Sequence, residues 1–243
     1  MRLSQSLAAL AMMASASIAH AQLSGTVTAI SDYNWRGVTQ SADDPALQGS
    51  IDWASDSGVY LGAWASNIDF GNEFDSDIEV DLYGGISGGD DLAWDFGLIY
   101  YMYPGETDAN WPELYASLTY GVVTGKVSYS NEFAGFSNDS AFYYELGAGW
   151  ELPENFGLNA HIGYSDGDGI NDAYAGNVDD YFDWSVGVTY MLGNFELGLK
   201  YVDGSDLEPH DGTPGDISSS EAKAVFSVST TFPWGSEGEK VIE

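Results

Sequence analysis

Nine carboxylates sit in short stretches where every second residue is apolar: Asp32, Asp52, Glu79, Asp81, Asp95, Glu113, Glu145, Asp183 and Glu196. Arg36, Lys126, Lys200 and Lys223 hold the same kind of position. Alternate residues of an extended chain share a face, so these charges would gather on one surface. If that surface lines an aqueous channel, the nine acids outnumber the four bases, and the local potential draws cations and repels anions. The same charges also suit a structural task, because acids and bases facing one another across a narrow lumen pair and hold it shut. Arg36, the single arginine after Arg2, can bridge two carboxylates. Asp32, Asp52 and Glu79 are its expected partners.

Catalytic chemistry finds less support. A barrel hydrolase needs a nucleophile and a base within reach of each other. The three histidines are His20, His161 and His210, and no G-x-S-x-G stretch accompanies them. Glu79 and Asp81 could do acid/base work, but among 38 acidic residues such pairs arise by chance. Asp166-Gly167-Asp168-Gly169 and Asn171-Asp172 look calcium-like, yet they lack the loop register and the downstream glutamate of a calcium-binding hand. A solvated acidic loop explains them, as it explains Asp179-Asp180; loose divalent binding or bridging to lipopolysaccharide phosphates is the other use for such loops. No glycine-rich phosphate cradle opens a helix. No enzyme activity, cofactor or dedicated metal site is expected.

The formal net charge is −32, which disfavours nucleic acid and anionic partners by repulsion. Met1-Arg2, the apolar run Leu7 to Ile18 and Ala19-His20-Ala21 have the form of a cleaved signal peptide, so residues 1–21 are expected to leave and the exported chain to begin at Gln22. Cysteine is absent. An exported domain without disulfides closes its fold by other means, and a barrel does so through strand-to-strand bonds.

The elements that would carry the charges are strands. Val27 and Ala29 oppose Thr26 and Thr28, with Ser31, Tyr33 and Trp35 continuing the first face and Ile30, Asp32, Asn34 and Arg36 the second. Leu47, Gly49, Ile51 and Trp53 oppose Gln48, Ser50 and Asp52. Ile78, Val80, Leu82 and Ile86 oppose Glu79, Asp81 and Tyr83. The rhythm continues to Phe232 and gives twelve runs of about ten residues, the length of a tilted strand crossing a bilayer. Only residues 59–67 are ambiguous, with Tyr60 and Trp64 on one face and Leu61 and Ala63 on the other.

The gaps alternate. Short ones lie near residues 55–58, 88–91, 121, 153–155 and 192–194, and long ones near 37–46, 69–77, 104–111, 131–140, 165–180 and 203–221. Short periplasmic turns and long outer loops are the asymmetry of an outer-membrane barrel. Trp53, Trp94, Tyr120, Trp150, Phe156, Tyr190 and Phe232 stand at the short-turn ends. Tyr33, Trp35, Tyr103, Tyr129, Phe142, Tyr164, Phe182 and Tyr201 stand at the long-loop ends. Two aromatic girdles are what a membrane barrel carries. A polar tail, residues 233–243, follows the last strand.

Several stretches are specific enough to compare with a family: Ser31-Asp32-Tyr33-Asn34-Trp35-Arg36-Gly37-Val38-Thr39-Gln40, Asp44-Pro45-Ala46-Leu47-Gln48-Gly49, Glu79-Val80-Asp81-Leu82-Tyr83-Gly84-Gly85 and Tyr100-Tyr101-Met102-Tyr103-Pro104-Gly105. In these the chain resembles the TorF-type porin family of proteobacteria. The resemblance covers nearly all of residues 22–243, is strongest in the first half, and implies an outer-membrane barrel with a pore but no particular solute.

The expectation is therefore an all-β, transmembrane, antiparallel up-and-down barrel in the bacterial outer membrane. It would contact outer-membrane lipid and lipopolysaccharide and pass small polar solutes or cations. A closed barrel acting through its acidic loops is the other reading.

Overall fold

The computed structural model describes residues 22–71, 74–135, 139–174, 178–204 and 219–234. The expected signal peptide and nearly all of the tail fall outside the described residues. The chain runs through β1 (Gln22–Ile30), the short β2 (Asn34–Trp35) and β3 (Val38–Thr39), then β4 (Ala46–Ala54), β5 (Val59–Asn67), β6 (Ile78–Gly88) and β7 (Leu92–Met102). It continues with β8 (Trp111–Tyr120), β9 (Val123–Ser130), β10 (Ala141–Glu151), β11 (Phe156–Asp166), the helix α1 (Asp168–Ala173), β12 (Asp180–Leu192), β13 (Phe195–Gly204) and β14 (Lys223–Phe232).

Twelve of these strands form one closed antiparallel barrel, with β1 bonded to β4 on one side and to β14 on the other. Closure leaves no strand edge unpaired, which is what lets a sheet stand in a bilayer. Period-two alternation then fixes two surfaces. Outward residues are apolar and bare: Leu47 is 64 % exposed, Leu61 58 %, Leu114 57 % and Leu199 57 %. Apolar side chains ringing a barrel have no protein to cover them, so lipid is the solvent that fits them. No helix among the described residues is long and apolar enough to cross a membrane.

The ambiguous strand β5 resolves in favour of the aliphatics. Leu61 faces out, while Tyr60 is buried inside and Trp64 packs edge-on against Tyr33, 5.3 Å between ring centroids. Residues 55–58, 89–91, 121–122, 152–155 and 193–194 make the short turns, and the long connections all lie at the opposite end. Asp168–Ala173 is a short helix rather than an open ligand loop, and its Ile170 is buried.

Two expectations about the aromatics need correction. Tyr33, Trp35 and Tyr103 do not belong to the long-loop girdle: Tyr33 and Tyr103 are buried inside, and Trp35 packs on Tyr101 and Phe133. The physical reason is that β1 ends at Ile30 and the chain then folds into the barrel. At the other rim, Trp234 lies in the tail expected to be polar. It stacks on Phe232 at 4.9 Å and extends the short-turn girdle.

Candidate functional site in the barrel lumen

The decisive element is the inward-folded segment 31–45. Its β2 and β3 pair Asn34 with Thr39 and Trp35 with Val38, leaving Arg36-Gly37 as a two-residue turn. Both turn residues have positive φ, 49° and 80°, the backbone a tight hairpin of this kind demands. The tip rests on the wall formed by β12 and β13. A Cβ on Gly37 would lie 2.6 Å from Cβ of Asp183 on β12 and 3.2 Å from Cα of Gly204 on β13. Only glycine fits there.

Arg36 locks the tip. One guanidinium nitrogen donates to both oxygens of Glu113, at 2.6 and 2.8 Å, with the two side chains 7 % and 2 % exposed. Its carbon sits 4.1 Å from the ring centroid of Trp35 and 4.1 Å from that of Tyr143. The expected partners Asp32, Asp52 and Glu79 are thus replaced by Glu113, because the hairpin carries Arg36 away from β4 and β6 toward β8. Burial opposes the guanidinium charge, and the Glu113 carboxylate more than offsets it, so the arginine pKa is raised.

The base of the hairpin is tied as well. Asp32 accepts from the hydroxyls of Thr39 and Ser41 and lies 3.6 Å from Lys223, which also pairs with Asp43. The Thr39 backbone N–H donates to Ser219 at 2.9 Å. Tyr33 and Tyr103 donate to the two oxygens of Glu79 at 2.7 and 2.9 Å. Burial, with Glu79 and Asp81 adding, pushes the Tyr33 hydroxyl well above its usual pKa, so it remains a donor.

The hairpin divides the lumen into two storeys. Toward the long loops the inward residues are buried: Tyr101 stacks on Trp111 at 4.2 Å and joins Val38, Phe133, Ile170 and Tyr181 in an apolar core, beside the buried polar groups of Glu79, Asp81, Glu113, Ser128 and Ser165. Toward the short turns the inward residues are only half-buried and polar: Ser50, Asp52, Tyr83, Tyr115, Ser117, Thr124, Lys126, Asn159, His161 and Ser185. Glycines make room for the tyrosine rings of this storey. The Tyr83 ring occupies the place of a Cβ on Gly62 as it reaches Asp52, and Tyr60 and Tyr115 meet over Gly97.

Each expected charge can now be placed. Asp95 accepts from Tyr60 at 2.6 Å. Glu145 lies 3.5 Å from Lys126 and 3.4 Å from His161, whose other ring nitrogen is 3.4 Å from Asp183. Asp183 also accepts from Tyr143 at 3.0 Å. Ser50 donates to Asp52 at 2.8 Å. Glu196 and Lys200 face inward from β13, and Asp81 is buried on β6 between Trp64 and Tyr101 in the strand register. The hairpin and the tyrosines that hold the acids were not foreseen, although Tyr83 and Tyr115 alternate with the apolar residues of their runs and Arg36-Gly37 has turn chemistry.

The profile of a bacterial family described as "Bacterial protein of unknown function (Gcw_chp)" matches residues 14–232. The chain belongs to that family. No curated protein matches it. Among solved structures this Gcw_chp member is similar to the KdgM porin, at 7 % identity and a TM-score of 0.51 over 87 % of this chain and 99 % of that one. It is also similar to the KdgM porin in complex with disordered oligogalacturonate, at 7 % identity and a TM-score of 0.54 over the same shares. The outer membrane channel DcaP of Acinetobacter baumannii matches at 11 % identity and a TM-score of 0.44, over 88 % of this chain and 97 % of that one. The likeness is one of fold: a closed barrel of the porin kind.

Proposed function

We propose that this protein is an outer-membrane channel for passive diffusion of small polar solutes, with a weak preference for cations. The observation that carries the reading is the polar lower storey of the lumen, inside a barrel whose outer surface suits lipid. The fold likeness to porins and the resemblance to the TorF type point the same way. The lumen charges Asp32, Arg36, Asp52, Glu79, Asp81, Asp95, Glu113, Lys126, Glu145, Asp183, Glu196, Lys200 and Lys223 then act as pore charge, and the hairpin at Arg36-Gly37 is the constriction. Residues 1–21 direct export, the apolar belt meets outer-membrane lipid, and the acidic loops face lipopolysaccharide.

The buried upper storey favours a second reading, a closed barrel acting at its surface. A cleft of about 780 Å³ between the loops, lined by Asp44, Asp69, Asp75 and Asp77, would then be the working face. Planar-bilayer current of the refolded chain under a salt gradient separates the two. Conductance steps with a cation-directed reversal potential support the channel. A folded barrel that passes no current supports the closed one.

A further inference from the structure

The lumen acids are nearly all engaged. Glu79 takes two tyrosine hydroxyls, Glu113 takes Arg36, and Asp52 takes Tyr83 and Ser50. Asp95 takes Tyr60, and Asp183 takes Tyr143 and faces His161. Glu145 lies beside Lys126 and His161, and Asp32 beside Lys223. Asp81 differs. It is 9 % exposed, and its buried Oδ1 has no hydrogen-bond partner. On β6 its flanking inward residues are Glu79 and Tyr83, and across the strands it pairs with Trp64 and Tyr101. None of these four brings positive charge, and the nearby guanidinium is spent on Glu113.

A buried carboxylate without a partner is costly unless a proton or a counter-charge reaches it. Directly opposite residues in a sheet stand about 5 Å apart, so aromatic walls frame Asp81. We infer that Asp81 is the cation subsite of this lumen and holds a monovalent metal ion of the sodium or potassium kind on the β6 wall. Divalent ions are poorly served. Calcium asks for about six to eight oxygens, and among the described residues no group of three or more acidic or histidine ligands is placed to hold a metal. The assignment of selectivity to Asp81 rests on the channel reading; the assignment of binding does not.

The test pairs two measurements on the refolded chain: sodium-23 line broadening in detergent micelles with potassium as competitor, and reversal potential in bilayers under a potassium chloride gradient. Asp81→Asn is expected to abolish the excess, potassium-sensitive broadening and to bring the cation-to-anion permeability ratio down to about 1, the value of a lumen without charge preference. Glu79→Gln should shift the ratio less, and Asp90→Asn, which removes an equal charge from a short turn, should not shift it. Asp81→Ser replaces the asparagine variant if that one fails to fold. Wild-type broadening that Asp81→Asn abolishes, in a barrel that passes no current, upholds the subsite and sinks the channel. Excess broadening absent from wild type, or a conducting Asp81→Asn variant with wild-type ratio and broadening, overturns the inference.

Discussion

At the scale of single residues, Arg36 shows how one charge can be held in place by an entire wall. Its guanidinium has lost its water, meets one carboxylate and lies between two aromatic rings. Removing one member of such a buried pair leaves the other uncompensated, at a cost of about 3–5 kcal/mol. Arg36→Ala should therefore lower the urea midpoint of refolded protein in lipid vesicles, and Glu113→Gln should do nearly the same. Arg36→Lys should recover little, because an ammonium lacks the flat, delocalised surface that fits between Trp35 and Tyr143. A wild-type midpoint for Arg36→Ala would mean that the pair contributes nothing net. The residue types of this site were legible in the sequence, since Arg36 stood out as the one arginine beyond Arg2. Its partner was not, because Glu113 is 77 positions away and meets Arg36 only through the fold.

At the scale of elements, the strands were readable and the hairpin was not. Period-two alternation marks a wall with two solvents, and it located all twelve barrel strands and the alternation of short and long connections. The same alternation runs on through Ser31, Tyr33 and Trp35, so the sequence pattern continues where β1 has already ended. What ends the strand is a turn requiring left-handed backbone at Arg36 and Gly37, a local signal masked by the longer rhythm. The hairpin is seated by a glycine, which makes it separable from the barrel by mutation. Gly37→Ala puts a methyl 2.6 Å from Cβ of Asp183 at φ 80°, so the tip must lift while the strands keep their bonds. Unitary conductance in planar bilayers should rise severalfold above wild type, with the folded-barrel mobility on unheated gels retained. An unchanged conductance would show that the hairpin is not the constriction.

At the scale of the whole molecule, the question is which solvent each surface was built for. Alternation marked the strands, and the alternating short and long connections with aromatics at the strand ends pointed to a closed membrane barrel. The filling of the lumen was not countable: whether tyrosines project toward the axis or lie along the wall depends on which strand places a glycine beside them, as Gly62 stands beside Tyr83. That register is a property of the assembled sheet. It gives the two faces opposite sensitivities to charge. Leu82 is outward and 48 % exposed near the middle of β6, whereas Ser117 is inward in the lower storey beside Lys126 and Asp95. An arginine at the lipid face near mid-bilayer costs about 2–4 kcal/mol. In the lower storey the same side chain meets water and a carboxylate. Leu82→Arg should thus lower unfolding free energy in vesicles by that amount, while Ser117→Arg should leave it within about 0.5 kcal/mol, as surface changes generally do. Ser117→Arg should also weaken cation preference, because it adds a positive charge to an acid-rich path. Equal destabilisation by the two variants would show that the lower storey is not wet, and the solute path would then have to run elsewhere.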